Sequence, residues 1–242
     1  MSLKKYFLLV SVVAVLTNAS CEDKKKASEV KTETAKEVTQ SSIISSEASE
    51  EKKEVAKTYP LISNENAVEF LTAYGKDNPE TKVLITTQQG EIELELFNDA
   101  PLHRANFIYL VKQGYFNETF FHRVVPNFII QGGNSDLRST TKKRAAIGDY
   151  LLPAELHNGR NHYMGTVSGA KEYRENPDKN SAPFEFFIFL GPQTSTGHLN
   201  GNYTVFGKVT KGMNVVQKIA NLPSDDGDWP LQNVYIEAKV IE

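Results

Sequence analysis

The sequence predicts a mainly β fold: a closed or nearly closed antiparallel barrel with helices covering its ends, and one extra helix ahead of it. Three observations carry this. Apolar runs of strand length recur from residue 83 to residue 240. Helical periodicity is confined to residues 63–75, 98–116 and 213–220. The resulting order is helix, two strands, helix, many strands and one late helix, with no internal repeat.

The first 57 residues stand apart from that pattern. MSLKKYFLLVSVVAVLTNASC opens with the basic pair Lys4 and Lys5, and Phe7 to Leu16 form an apolar run of ten residues. A permanent membrane helix needs about twenty, so residues 1–20 are expected to be a removed signal peptide. Cys21 follows the small residues Ala19 and Ser20. This resembles the bacterial lipoprotein signal, although Asn18 stands where that signal usually has an aliphatic residue. The resemblance implies lipid attachment at Cys21 and a membrane contact through it. Residues 22–57 are rich in Lys, Glu, Ser and Thr and contain no aromatic residue. Such a segment cannot bury enough surface to offset its ordering entropy, so a flexible tether is expected. The expected organisation is a signal at 1–20, the anchor cysteine and tether at 21–57, a helical extension at 58–81 and one globular domain at 82–242. The expected location is the bacterial cell envelope, as an exported periplasmic or outer-membrane lipoprotein.

The globular elements follow in order. In SNENAVEFLTAYG, Ser63 or Asn64 can cap a helix, Val68, Leu71 and Tyr74 share a face, and Gly75 is the expected stop. Ile92, Leu94 and Leu96 alternate with Glu91, Glu93 and Glu95, the period of a half-exposed strand, and the turn at Gly90 pairs them with Val83–Thr87. Asn98 or Asp99 can cap the next helix, Pro101 suits its first turn, and Ala105, Ile108 and Tyr109 face inward. FFHRVVPNFIIQGG, residues 120–133, reads as a strand. Further strands are expected at 165–168, 186–190, 203–209 and 234–240, with a helix at 213–220.

Bulk chemistry narrows the function. The formal net charge of −3 gives no sign of a nucleic-acid partner. Cys21 is the only cysteine, so the fold does not depend on disulfides. His157 and His162 lie five apart, but no further ligands complete a metal site; neither a metal nor a cofactor is expected.

FFHRVVPNFIIQGG places a guanidinium and a carboxamide at the two ends of an apolar run. With the residues before it, FNETFFHRVVPNFIIQGG resembles the signature of the cyclophilins, a family of peptidyl-prolyl cis/trans isomerases. Phe116, Thr119, Phe121, His122, Arg123, Phe128, Gln131 and Gly133 fall at the family spacing. GEIELELF, APLHRANFIYLV, GTVSGA, FEFFIFLG and VFGKVTKGMNVV extend the resemblance from about Lys82 to the C-terminus. It implies an eight-stranded antiparallel barrel capped by two helices. It also implies isomerisation of X–Pro bonds in proline-containing segments or unfolded proteins, by a monomer.

The chemistry suits those residues. Twisting a prolyl amide breaks its conjugation against a barrier of about 18–20 kcal/mol. The catalyst needs a dry pocket for the ring and a donor aimed at the twisted amide, which a permanently charged arginine supplies. By resemblance, Arg123 is that donor, and Phe128 and Gln131 complete the catalytic set. Ile129, Phe187 and Leu199 match the pocket wall, Ala170 and Lys171 the strip along which a peptide lies, and Glu185, His198 and Tyr203 the far wall. Taken singly, these apolar residues are more often core than pocket; their joint spacing favours the pocket. His122 is expected to be scaffold. Glu185 is a departure, because Phe184-Glu185 replaces the family's Ser-Gln and puts a charge beside the groove. Ile129 stands for a methionine, Tyr203 for a frequent histidine and His198 for a frequent tryptophan. KEYRENPDKNSAPF, residues 171–184, is longer than in compact members and flanks the groove. The rival readings are a proline-peptide-binding or chaperone module without catalysis, and an envelope scaffold in which the pocket is secondary.

Overall fold

A computed structural model describes residues 59–171 and 175–242. The expected signal, Cys21 and tether therefore lie outside the described residues. The elements are β1 (Ile62–Ser63), α1 (Ala67–Asp77), β2 (Lys82–Thr87), β3 (Gly90–Leu96), α2 (Pro101–Lys112), β4 (Thr119–Val125), β5 (Ile129–Asn134) and α3 (Arg138–Ile147). Then come β6 (Gly148–Asp149), β7 (Thr166–Lys171), β8 (Ser181–Phe189), β9 (Val205–Lys211), α4 (Met213–Ala220) and β10 (Val234–Ile241). Eight strands close an antiparallel barrel in the order β10-β2-β3-β9-β7-β8-β5-β4, and β1 pairs with β6 apart from it. Among the described residues no helix is long and apolar enough to cross a membrane.

The barrel interior follows from strand alternation. Val124, Ile130, Ile188 and Val167 sit opposite one another across β4, β5, β8 and β7, and all four are fully buried. From β3, Ile92 and Leu94 point inward while Glu93 and Glu95 pair outside with Lys211 and Lys208. Phe107 of α2 closes one end of the barrel, packing edge-on against Phe186 and against Phe116.

The stretch expected as one strand is a hairpin. β4 and β5 meet at Pro126-Asn127-Phe128, where Asn127 adopts the left-handed conformation (φ 57°). Asparagine tolerates that region, so the chain reverses without a glycine. Gly133 has a different constraint. Its φ is 98°, and a Cβ there would lie 2.2 Å from the Phe184 carbonyl oxygen, so β5 can approach β8 only with glycine.

Other boundaries moved for physical reasons. Gly75 does not stop α1, which runs on to Asp77. A Cβ at Gly75 would sit 3.0 Å from the Ala105 Cβ, so the glycine permits close packing of α1 on α2. Arg104 of α2 fastens the same junction, donating to the carbonyls of Gly75 and Asn78 at 3.0 Å each. Val68 is exposed instead of facing inward, while Leu71 and Tyr74 are buried. Neither Asn98 nor Asp99 caps α2. The buried Glu155 accepts from the backbone N–H groups of Leu102 and His103, both at 3.0 Å, and places a carboxylate at the helix N-terminus. The same Glu155 accepts from His103 Nδ1 at 2.6 Å, and His103 Nε2 lies 2.9 Å from Ser181 Oγ. This chain of serine, imidazole and carboxylate is buried beside a cavity of only about 10 Å3, so it braces the fold and admits no substrate. Helix α3 and the β1–β6 pair are additions to the predicted fold, and Ser181–Phe184 of the long stretch belong to β8.

Candidate active site

A β-bulge aims the arginine. Phe121 pairs with Gly132 and Arg123 with Gln131, so two steps along β4 match one along β5, and His122 is the extra residue. Without the bulge, alternation would place Phe121 and Arg123 on one face. With it, Phe121 and Val124 both enter the core, and Arg123 emerges on the outer face directly across from Gln131. Gln131 in turn faces Phe187 on β8. Arg123, Gln131 and Phe187 thus form one row across three strands.

A second row lies beside it. Val125 pairs with Ile129, and Ile129 with Phe189. Ile129, Phe187, Phe189 and Leu199 form an apolar cluster separate from the barrel core, with Val125, Phe128 and Tyr203 packed on it. Val125 therefore belongs to the outer cluster and not to the barrel core. Phe128 sits edge-on to Phe189 and tilts over His198 with centroids 5.6 Å apart. Tyr203 stands edge-on to Phe187, and the Lys171 ammonium lies 4.7 Å from the Tyr203 ring centroid.

These residues enclose a cleft of about 350 Å3 lined by Arg123, Phe128, Ile129, Gln131, Ala170, Lys171, Phe187, His198, Leu199 and Tyr203. Every expected groove residue is present except Glu185. Its side chain does not line the cleft but turns to a cleft residue, its Oε2 accepting from Gln131 Nε2 at 2.9 Å. His122 Nε2 is 3.5 Å from that oxygen, and Arg144 reaches Oε1 at 3.4 Å. The charge expected beside the groove is thus tied into a polar cluster with Gln131, His122 and Arg144. Burial pushes the Glu185 carboxyl up, but His122, the Gln131 amide and Arg144 outweigh burial and hold it below its ordinary value. Among the described residues this is the one polar contact of His122, whose ring also packs beside Trp229.

Three supporting residues were not legible from the motif. Asp228 accepts from Arg123 Nε at 3.1 Å, leaving the terminal guanidinium nitrogens without a hydrogen bond among the described residues. The Asp228 carbonyl also accepts from the Val124 N–H at 2.8 Å, which fixes its loop to β4. His162 stacks parallel to Phe187 with centroids 5.9 Å apart. Its Nδ1 donates to Asn200 Oδ1 at 2.9 Å, so its Nε2 accepts from the Ser168 hydroxyl at 3.0 Å. Asn200 follows Leu199, so His162 anchors the loop that forms the far wall. Burial pushes the His162 pKa down, against the opposing bond to Asn200, and favours the neutral ring. Arg144 is the third; it lies on the unexpected α3 and donates from Nε to Tyr115 Oη at 2.8 Å.

The cleft offers an apolar recess, a charged donor whose terminal nitrogens have no partner among the described residues, and a carboxamide beside them. It has the means to grip a small apolar ring and to polarise an amide next to it. Among the described residues no group of three or more His, Cys, Asp or Glu side chains is placed to hold a metal.

Known proteins resemble this chain. Residues 82–240 match the family model described as cyclophilin type peptidyl-prolyl cis-trans isomerase/CLD. A peptidyl-prolyl cis-trans isomerase of Acinetobacter baylyi is 42% identical over 147 residues, 60% of this chain and 74% of its own. Peptidyl-prolyl cis-trans isomerase A of Dickeya dadantii is 38% identical over 165 residues, 67% of this chain and 82% of its own. A solved cyclophilin type isomerase of Cryptosporidium parvum, crystallised in the presence of the dipeptide Ala-Pro, superposes with a TM-score of 0.55 at 29% identity. That likeness covers 66% of this chain and 99% of the other.

Proposed function

The chain belongs to the cyclophilin-type peptidyl-prolyl cis-trans isomerases, and from this premise we infer that the cleft across β4, β5 and β8 is where it turns X–Pro bonds. It is a peptidyl-prolyl cis-trans isomerase. The observation that carries the site reading is the pairing of Arg123 with Gln131 beside an apolar cluster separate from the core. The proline ring enters the recess of Phe128, Ile129, Phe187 and Leu199. The terminal nitrogens of Arg123 donate to the amide as it twists, when its nitrogen gains a lone pair and its carbonyl loses resonance. One charge-assisted bond in such a site contributes about 1.5–3 kcal/mol, or roughly a factor of ten to a hundred and fifty in rate. Selective binding of the twisted form adds to it. No nucleophile or proton carrier is required.

The substrates in this reading are proline-containing segments of exported or envelope proteins, reached by a domain tethered through Cys21. The layout of residues 1–57 supports the location, and the family supports catalysis over a binding module without turnover. Two experiments test the reading. Mass spectrometry of the mature N-terminus should find a lipidated Cys21; an N-terminus that retains residues 1–20, or an unmodified cysteine, contradicts the anchor. Refolding of an exported protein limited by a prolyl isomerisation should quicken with catalytic amounts of enzyme. An unchanged slow phase contradicts the folding role.

A further inference from the structure

We propose that Glu185 is a positioning residue: its carboxylate fixes which end of the Gln131 amide faces the groove, so that Gln131 presents Oε1 and accepts a hydrogen bond from a peptide N–H. This rests on the placement of the prolyl site at Arg123 and Gln131. An ionised carboxylate has lone pairs and no proton to give. Only the NH2 end of Gln131 can therefore meet it, and Gln131 Nε2 does so at 2.9 Å. Turning the amide over would set oxygen against oxygen. Arg144, 3.4 Å from Oε1, and His122, 3.5 Å from Oε2, both favour the ionised form of Glu185. Gln131 lines the cleft, and its Oε1 has no hydrogen-bond partner among the described residues. The oxygen is thus the end left for a ligand.

The arrangement separates roles along one row. Arg123 has only donors, so it reads a carbonyl or the amide nitrogen lone pair. Gln131, held by Glu185 and directly across β4 and β5 from Arg123, reads an N–H. A neutral amide at position 185 could accept or donate, so it would leave Gln131 free to turn. The preferred ligand is therefore a peptide with a free backbone N–H beside its X–Pro bond.

A double-mutant cycle tests this, with kcat/KM for an Ala-Pro peptide measured in the full chain. Glu185→Gln is expected to lower kcat/KM about fivefold, the worth of one neutral hydrogen bond, and to change it less than twofold when Gln131→Ala is already present. Equal losses in both backgrounds, or no loss in either, overturn the proposal. If Glu185→Gln does not fold, the cycle is run with Glu185→Asp, whose carboxylate falls short of Gln131 by one methylene, and it is read by the same two outcomes. Arg123→Ala assayed alongside keeps the two failures apart. An unimpaired Arg123→Ala removes the prolyl site from this cleft. An impaired one, with no coupling between positions 185 and 131, removes only the role of Glu185.

Discussion

The role proposed for Arg123 depends on residues that limit its freedom. Asp228 holds the Nε edge of the guanidinium, so the opposite edge is presented without paying further rotamer entropy at each turnover. The pair is between a third and two-fifths exposed, which keeps its worth near that of a surface ion pair, about 0.2–1 kcal/mol. Asp228→Ala is therefore expected to lower kcat/KM about two- to fivefold, with little change in the midpoint of urea unfolding. His162 supplies a pH dependence. Its pKa is depressed in the fold, so the unfolded chain takes up the proton first. Its contribution to stability is whole above the ordinary histidine range, about 6.5, and is lost as pH falls through the depressed value. The wild-type melting temperature should drop between pH 7 and pH 5, while His162→Gln starts lower and falls less over that interval. Parallel curves would remove His162 as the source.

At the scale of elements, the hairpin of β4 and β5 is the unit that makes the site. Two register shifts, at Gly133 and at His122, and one close backbone approach set its shape. Gly133→Ala forces a side chain into the left-handed region against the Phe184 carbonyl, and a cost of about 1–3 kcal/mol or more is expected in chemical denaturation. Ile130→Ala empties a fully buried position beneath the site and should cost about 2–5 kcal/mol, without changing which peptides bind. The hairpin also shows what periodicity conceals. Val124, Val125, Phe128, Ile129 and Ile130 read as one apolar strand, yet two faces and a turn are folded into them. The turn was written in Pro126-Asn127, but apolar neighbours on both sides mask it. Helix α3 was hidden for the opposite reason: RSTTKKRAAI has almost no apolar face, and only Thr140 and Ile147 are buried. Conversely β3 and α4, whose apolar positions repeat regularly, fell where their periods put them.

For the whole molecule, the barrel and the cleft were legible because the chemistry that needs them is concentrated in one stretch. Arg123, Phe128, Ile129 and Gln131 lie within nine residues, and their types state a purpose even before they are placed in space. Asp228 lies 105 residues from the arginine it orients, in a loop whose sequence suggests only a turn. Glu185 was legible as a departure but not in its partners, since Gln131 and Arg144 lie 54 and 41 residues away in the sequence. The extension α1 adds a further layer: Tyr59, Phe70, Tyr74 and Tyr109 pack ring on ring where it meets α2, on elements apart from the strands that carry the cleft. In the proposed mechanism one arginine on a bulged strand lowers the barrier to prolyl rotation. Exchange NMR between the cis and trans forms of an Ala-Pro peptide tests it most directly, with catalytic amounts of the wild-type enzyme and of Arg123→Ala. The expected result is a wild-type exchange rate about a hundredfold above that of Arg123→Ala, with both proteins still folded; equal exchange rates would contradict it.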